Sequence, residues 1–421
     1  MRPTQVRYKV LGYTIVLGMV TYMDRVAISI TSRDIQKELS LTDFQMSLVF
    51  SAFTLAYGMF EIPTGWWGDR VGTRRVLTRI VSWWSAFTIA TAAAFNYHSL
   101  LAIRFLFGIG EAGAWPNVAR TFSRWFPQSE RGRAQGIFFT GAHFGAAFTP
   151  VVATWLLTLV HWRWVFVIFG SVGFLWALAW YRWFRDEPSE HAEVNEAERH
   201  HIESGRGPAG SHTMHGVPWG AIFSNRNVLL LCAAYFAQSY GFYFFLTWMP
   251  TYLARVRGFS AMNVGLFAGL PMVFCVLSDI FGGVAADWAS RRFGLRVGRA
   301  SVGITSYLCA SLCMLAGTAA EEPRTAALLL ALAAGWASFC LGAAWGTVLD
   351  ISGANAGVVG GVMNTAGQIG GMLSPVILGY VVQNWSDWNY PLYLTGVLFL
   401  LGAFCWLFID PRRPIGVHGP G

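Results

Sequence analysis

GWWGDRVGTRR occupies residues 65–75, and GGVAADWASRR occupies residues 282–292. Each holds a glycine, an aspartate four residues later and then paired arginines: Gly65, Asp69, Arg74 and Arg75 in the first, Gly283, Asp287, Arg291 and Arg292 in the second. Aligning Asp69 with Asp287 sets an offset of 218, and near it LTDFQM (41–46) faces FSAMNV (259–264). At an offset of 225, GIFFTGAHFGAAFTP (136–150) matches GVMNTAGQIGGMLSP (361–375), pairing Gly136 with Gly361, Thr140 with Thr365, Gly145 with Gly370 and Pro150 with Pro375. Three matches in one order describe two halves repeated in parallel.

The chain has 421 residues, of which 54% are hydrophobic and 12% charged, more apolar surface than one soluble core of this length could hide. Apolar stretches near the 20-residue length of a bilayer crossing fall at roughly 10–30, 44–66, 76–95, 99–122, 134–158 and 162–184, then at 227–254, 263–286, 299–318, 325–349, 357–382 and 389–409. The expected fold is therefore all-α and membrane-embedded, with twelve transmembrane helices in two pseudo-symmetric six-helix bundles. The domains are a first bundle over 1–184, a central loop over 185–226 and a second bundle over 227–421. The run 10–30 exceeds a signal-peptide core and lacks a small-residue cleavage site, so it reads as the first span.

Of the 30 lysines and arginines, 22 fall on the side of the two termini, six on the other, and Arg25 and Arg104 lie within spans. The positive-inside rule then places both termini in the cytoplasm. The net charge of +8 is thereby a topology signal and not a nucleic-acid surface. All six cysteines lie in apolar segments, which argues against zinc or redox chemistry. The stretch 186–216 gathers five of the nine histidines among acids, glycine and proline. It reads as a solvated linker with one short surface helix in preference to a metal-sensing loop.

Parallel repeats of six spans are the signature of transporters that rock one bundle against the other around a midplane site, and the glycines of spans five and eleven allow the close helix contact that sliding needs. At GDRVGTRR the chain resembles the major facilitator superfamily, whose signature lies between the second and third spans. TYMDR (21–25), AYGMFEIPTGWWGDR (56–70), RFLFGIGEAGAWPN (104–117) and RDEPSEH (185–191) resemble its anion:cation symporter family, whose bacterial members are similar to proton-coupled importers of sugar acids. That resemblance implies that Asp24 and Glu111 are the proton-coupling carboxylates and that Arg25 meets the substrate carboxylate. It also implies that Tyr22, Tyr57, Trp345 and Asn364 line the substrate cavity. The chain departs from the family at Glu61, where a glutamine is usual, and at His143, where an amide is expected; both leave the substrate open.

Read from the residues alone, ionisable groups inside spans cost several kcal/mol unless they meet a partner or water, and the set is Asp24, Arg25, Glu61, Arg104, Glu111 and Asp279. Arg104 and Glu111 stand two turns apart on one helix face, placed for proton coupling with Arg104 as helper or for a structural ion-pair network. Glu61 and Asp279, again 218 apart, lie eight residues before the loop aspartates; they serve a gate or simply face cytoplasmic water. Asp69, Arg70, Arg74 and Asp287 are candidates for gating contacts, although topology alone accounts for the arginines. His143 can take substrate or a proton, or make one local hydrogen bond; Gln238 and Tyr243 are further polar candidates.

GIGEAG (108–113) matches a dinucleotide fingerprint, yet it sits inside an apolar helix with no preceding strand and reads as close helix packing. No HExxH and no phosphate loop is present, so an enzyme is not expected. The expectation is a proton-coupled symporter that imports an organic anion, a sugar acid such as a hexonate, hexuronate or aldarate. The alternative is an exchanger or facilitator not driven by protons. The expected protein is a monomer in a bacterial inner membrane, with the bilayer and a small anion as partners, no nucleic acid, no metal, and protons as the coupling ion in place of a cofactor.

Overall fold

The structure, a computed structural model, describes residues 3–204, 219–352, 356–413 and 415; within them the side chains of residues 62, 65, 66, 68–70, 128, 129, 356 and 357 lie outside the description. Among the described residues the chain is helical, with no strand. The first unit holds α1 (Val6–Leu39), α2 (Asp43–Val71), α3 (Thr73–Thr91), α4 (Tyr97–Glu111), α5 (Ala114–Trp125), α6 (Gln128–Leu157), α7 (Trp162–Trp183) and α8 (Glu196–Ser204). The second holds α9 (Trp219–Ser224), α10 (Arg226–Thr247), α11 (Met249–Arg255), α12 (Ala261–Phe293), α13 (Leu295–Ala319), α14 (Pro323–Phe339), α15 (Leu341–Ser352), α16 (Ala356–Trp385) and α17 (Asn389–Phe408). Residues 42–47, at the start of α2, cluster with the second unit.

Nine helices among the described residues are long and apolar enough to cross a bilayer, counting α14 with α15 as one. The segments expected as spans two, three and four are α2, α3 and the pair α4–α5. Three arginines in the first two turns of α3 (Arg74, Arg75, Arg79) dilute its apolar character. Span four, expected as one helix over 99–122, is divided after Glu111. Pro116 accounts for the break: its ring clashes with the carbonyl of Ala112 in a continuous helix, and it carries no N–H to bond there. Pro250 stands in the same relation to the division between α10 and α11.

The two units repeat one packing scheme. In the first, α1 lies along α6 and α3 along α7; in the second, α10 lies along α16 and α13 along α17. The glycines aligned in sequence occupy equivalent contacts: a Cβ on Gly145 would lie 2.6 Å from Met19 Cα of α1, and one on Gly370 would lie 2.5 Å from Phe236 O of α10. Both distances are forbidden to real side chains, so these glycines set the spacing of α1–α6 and α10–α16.

A second repeated device was not visible as a motif. The helix after each loop signature starts from a glycine with positive φ, Gly72 (92°) before α3 and Gly294 (83°) before α13. An aspartate just past α7 or α17 then meets the start of that helix. The Asp186 carboxylate accepts from Thr73 Oγ1 (3.0 Å) and Arg74 N (2.9 Å), an arrangement that caps the N-terminus of α3. Asp410 lies 3.8 Å from Arg296 in the first turn of α13. Hydrogen bonding by Arg412 holds the Asp410 carboxyl down at about 2.

The stretch 186–216, expected as a solvated linker with one short surface helix, holds such a helix in α8, and its described residues 186–204 are fastened to the first unit by their acids. Beside the Asp186 cap, Glu187 pairs with Arg124 of α5, and Glu193 pairs with Lys9 (2.6 Å). Glu198 of α8, fully buried, accepts from Thr4 Oγ1 (2.6 Å), Val6 N (2.8 Å), Arg7 N (3.1 Å) and Arg7 Nη1 (3.1 Å). It therefore closes the open N–H groups at the start of α1. Arg7 in turn reaches Glu130 of α6 (2.9 Å). Histidines 212 and 215 of the same stretch lie outside the described residues.

Two of the six basic residues expected opposite the termini have structural work that explains their presence. Arg163 donates to the carbonyls of Ala92 and Ala94 (2.9 Å) just past α3. Arg257 donates to the carbonyls of Gly317, Thr318 and Ala320 at the end of α13. Both satisfy carbonyls that helix ends leave unpaired.

Burial pushes the Glu198 carboxyl up, but the donors of Thr4, Val6 and Arg7 outweigh it and hold it below the ordinary value. A depressed native value means a contribution to stability that is complete above about pH 4.3 and is lost as pH falls through the native value. Glu198→Gln is expected to cost about 1–3 kcal/mol, seen as a lower thermal midpoint of the detergent-solubilised protein at neutral pH, with the gap to the parent closing in acid. Glu203→Gln, which removes only an exposed pair with Arg199, should stay within about 0.5 kcal/mol.

Candidate functional site: a buried ion-pair cluster

The lone acid and base of the first span enter the first unit from adjacent positions of α1. Asp24 points toward α3 and α4, where Trp84 and Thr88 of α3 and Glu111 and Arg104 of α4 surround it. Arg25 bonds Glu111 directly, Nε to Oε1. Asp24, Arg25, Arg104 and Glu111 are all buried. With both carboxyls ionised, two acids balance two guanidiniums, the condition under which charge is tolerable in hydrocarbon. The break after Glu111 places this acid at a helix end next to Ala112 and Gly113, where Asn117 Nδ2 donates to Gly113 O (2.7 Å) and ties α5 back to the turn.

Aromatic rings pack around the two cations. The Arg25 guanidinium carbon sits 5.2 Å from the Tyr22 ring, 5.0 Å from Phe53 and 4.9 Å from Tyr57. That of Arg104 sits 4.3 Å from the Phe107 ring and 5.5 Å from Phe53. Such cation–π contacts are worth more when water is excluded, and they fix two flexible cations in one orientation. His143 of α6 meets Tyr22 edge-on at 5.7 Å, and Trp115 meets the same ring edge-on at 6.2 Å.

Tyr22, Asp24, Arg25, Tyr57, Arg104, Glu111 and His143 thus form one connected group. The remaining candidates fall elsewhere. Gln238 and Tyr243 lie on α10, where Ser239 Oγ donates to Gln238 Oε1 (3.3 Å) and Tyr243 OH donates to Gln368 Oε1 (3.4 Å). Trp345 of α15 is 40% exposed and meets Tyr235 edge-on at 6.2 Å; Asn364 of α16 is half-buried. Glu61 and Asp279 are half-buried on α2 and α12. Arg74 donates to Tyr181 O at 2.9 and 2.7 Å and lies over the Tyr181 ring. Asp287 pairs with Arg299 at 3.3 Å, and Arg299 also meets Asp350. The side chains of Asp69 and Arg70 lie outside the described residues.

Sequence reading missed Phe53, which touches both cations, and Trp84 and Thr88, which face Asp24. Phe53 stands one helical turn before Tyr57, and that spacing is the signal that could have found it.

The sequence profile of the Major Facilitator Superfamily matches residues 14–375. The chain belongs to this superfamily. It is accordingly a transporter and not an enzyme, a multi-pass membrane protein with the major facilitator fold. Among curated relatives, a probable sulfoacetate transporter of Cupriavidus necator is 35% identical over 407 residues, 96% of this chain and 94% of its own. A D-galactonate transporter of Escherichia coli is 30% identical over 428 residues, 98% of each chain. A hexuronate transporter of Bacillus subtilis is 28% identical over 418 residues, 97% of this chain and 96% of its own. Among solved structures, a bacterial homologue of the human lysosomal transporter Spinster, inward-facing and occupied, superposes with a TM-score of 0.77 at 18% identity over 96% of each chain, a likeness of fold.

If the four charges stabilise one another, removing one cation leaves an uncompensated acid. Arg104→Met is expected to cost about 3–5 kcal/mol, and adding Asp24→Asn should restore part of the loss, the two changes coupling rather than adding. Thermal unfolding of the single and double variants in detergent reads both; strict additivity would contradict the mutual support.

Proposed function

We propose that this transporter is a proton-coupled symporter that imports an organic anion, a sugar acid of the hexonate, hexuronate or aldarate class, by alternating access of its two halves. The observation that carries the reading is the balanced cluster of Asp24, Arg25, Arg104 and Glu111. Support for the cargo class comes from relatives named for D-galactonate, galactarate/D-glucarate and hexuronate.

Arg25 is occupied by Glu111. Protonating Glu111 weakens that bond and leaves the cluster with net positive charge, so a substrate carboxylate can take the place of the glutamate, with the planar guanidinium offering two parallel donors. Tyr22, Tyr57 and His143 supply hydroxyl and imidazole groups beside Arg25 for a polyol. Gln238, Tyr243, Trp345 and Asn364 are further substrate-binding candidates. Dehydration favours the neutral form of the acids and the guanidiniums favour the charged form, and this opposition lets the pair load on one side and unload on the other. Glu61, Asp69, Arg70, Arg74, Asp279 and Asp287 act at the gates. The working protein is a monomer of the bacterial inner membrane with cytoplasmic termini, its bundles 1–184 and 227–421 joined by 185–226.

The runner-up is an organic-anion exchanger, which retains the cluster and binds anions without net proton movement. If two protons accompany a monoanion, one net charge crosses and each 100 mV contributes about 2.3 kcal/mol; with one proton the membrane potential is irrelevant.

Purified protein screened by thermal shift against D-galactonate, D-glucarate, D-glucuronate and sulfoacetate should show stabilisation by at least one, absent in Arg25→Ala. In proteoliposomes, Asp24→Asn and Glu111→Gln should lose acid-driven accumulation of that anion and keep counterflow. Parent protein that shows counterflow without acid-driven accumulation would establish the exchanger, and a stabilising anion indifferent to Arg25→Ala would remove Arg25 from the site.

A further inference from the structure

Three spans of the second unit leave a groove between them. Its walls are Ala233 and Phe236 of α10, Ala366 of α16, and Leu398, Leu401 and Cys405 of α17, and its volume is about 370 Å³. All three helices are long and apolar enough to cross a bilayer, so the groove lies at the depth of hydrocarbon, with Ala233 and Leu401 exposed in it. It leads to one end of the bundle. Leu401 and Phe408 stand two turns apart on one face of α17, and Ala233 and Arg226 stand two turns apart on one face of α10. The Arg226 guanidinium carbon lies 5.0 Å from the Phe408 ring, so these two faces meet where α10 begins and α17 ends.

That end is strongly basic. Asn227 Nδ2 donates to Asp410 O (2.9 Å) and Asn227 Oδ1 accepts from Asp410 N (2.9 Å), which holds the residues after α17 beside the start of α10. Asp410 is shared by Arg412 (2.9 Å), Arg296 (3.8 Å) and Arg413 (3.9 Å), and Arg226 pairs with no acid among the described residues. One carboxylate therefore stands among four guanidiniums, and Arg226, Arg412 and Arg413 are exposed. Topology explains arginines at a membrane surface, but not an apolar groove that ends among them.

We propose that this face binds an anionic phospholipid, one acyl chain lying in the groove and the phosphate held by Arg226 with Arg412 and Arg413. A guanidinium offers two parallel donors to phosphate oxygens, and basic pockets between spans hold acidic headgroups. The groove walls offer almost nothing to a polar group, so they suit a hydrocarbon chain and not a free anion. A molecule in which acid and chain are joined satisfies both parts at once. A zwitterionic lipid satisfies the groove alone, because its own cation offsets the pull of the arginines. The bound lipid rests against α10, the helix that carries Gln238 and Tyr243.

Native mass spectrometry of the full chain in detergent, with dioleoyl phosphatidylglycerol, dioleoyl phosphatidylcholine and glycerol 3-phosphate as probes, tests the assignment. Phosphatidylglycerol should bind at least about tenfold more tightly than phosphatidylcholine, whose chains are the same, and glycerol 3-phosphate should not bind. Arg226→Gln should weaken phosphatidylglycerol binding at least about fivefold. Ala233→Phe, which fills the groove and leaves the arginines in place, should weaken it by a similar factor, and Leu401→Trp is the filling variant should Ala233→Phe fail to fold. Phosphatidylglycerol with a diazirine midway along one chain should label residues within 232–237 or 398–405 on photolysis. Equal affinity for the two lipids, tight binding of glycerol 3-phosphate, a label elsewhere, or sensitivity to the arginine change without sensitivity to groove filling would each overturn the site.

Discussion

Arg25 of α1 bonded to Glu111 of α4, deep in an apolar bundle, is the interaction around which the first unit is arranged. Neither charge could be buried alone at acceptable cost. Each therefore needs the other, together with Arg104 and Asp24 to complete the balance. The surroundings are built to hold that pair: Tyr22, Phe53 and Tyr57 wrap the guanidinium, and the break of span four puts the glutamate at a helix end. Pro116 and the glycines of GIGEAGAWPN, which read as close packing, are thereby also the reason Glu111 lies where it does.

The helices that carry the cluster are pinned far from it. Glu198 closes the start of α1 and, through Arg7, joins it to Glu130 of α6. Asp186 closes the start of α3, which carries Trp84 and Thr88. The helix bearing Asp24 and Arg25, the helix bearing His143 and the helix facing Asp24 are therefore all fixed by acids within or beside residues 185–204. A segment that looked like a tether behaves as a clasp.

Much of this was legible in the sequence, for identifiable reasons. A charged residue in an apolar run has few explanations, so Asp24, Arg25, Arg104 and Glu111 declared themselves, and the repeat of Gly145 and Gly370 reported a backbone contact that no side chain could fill. What stayed hidden was identity among many equals. Phe53, Trp84 and Trp115 are three of 66 aromatics, and only the face each helix presents distinguishes them from lipid-facing rings. Glu198 and Asp186 are acids in an acidic loop, where nothing local reveals that one is buried and the other caps a distant helix. The division of span four was hidden because hydropathy does not register a two-residue turn.

Proton linkage to anion binding is the central claim, and isothermal titration calorimetry in buffers of differing ionisation enthalpy measures it without any gradient. A stabilising sugar acid titrated into detergent-solubilised protein near neutral pH should bind with net uptake of protons, seen as a binding enthalpy that varies linearly with buffer ionisation enthalpy, and the slope should fall in Asp24→Asn and Glu111→Gln. Binding with the same enthalpy in every buffer, at pH values on both sides of neutrality, would contradict proton-coupled recognition by the buried cluster.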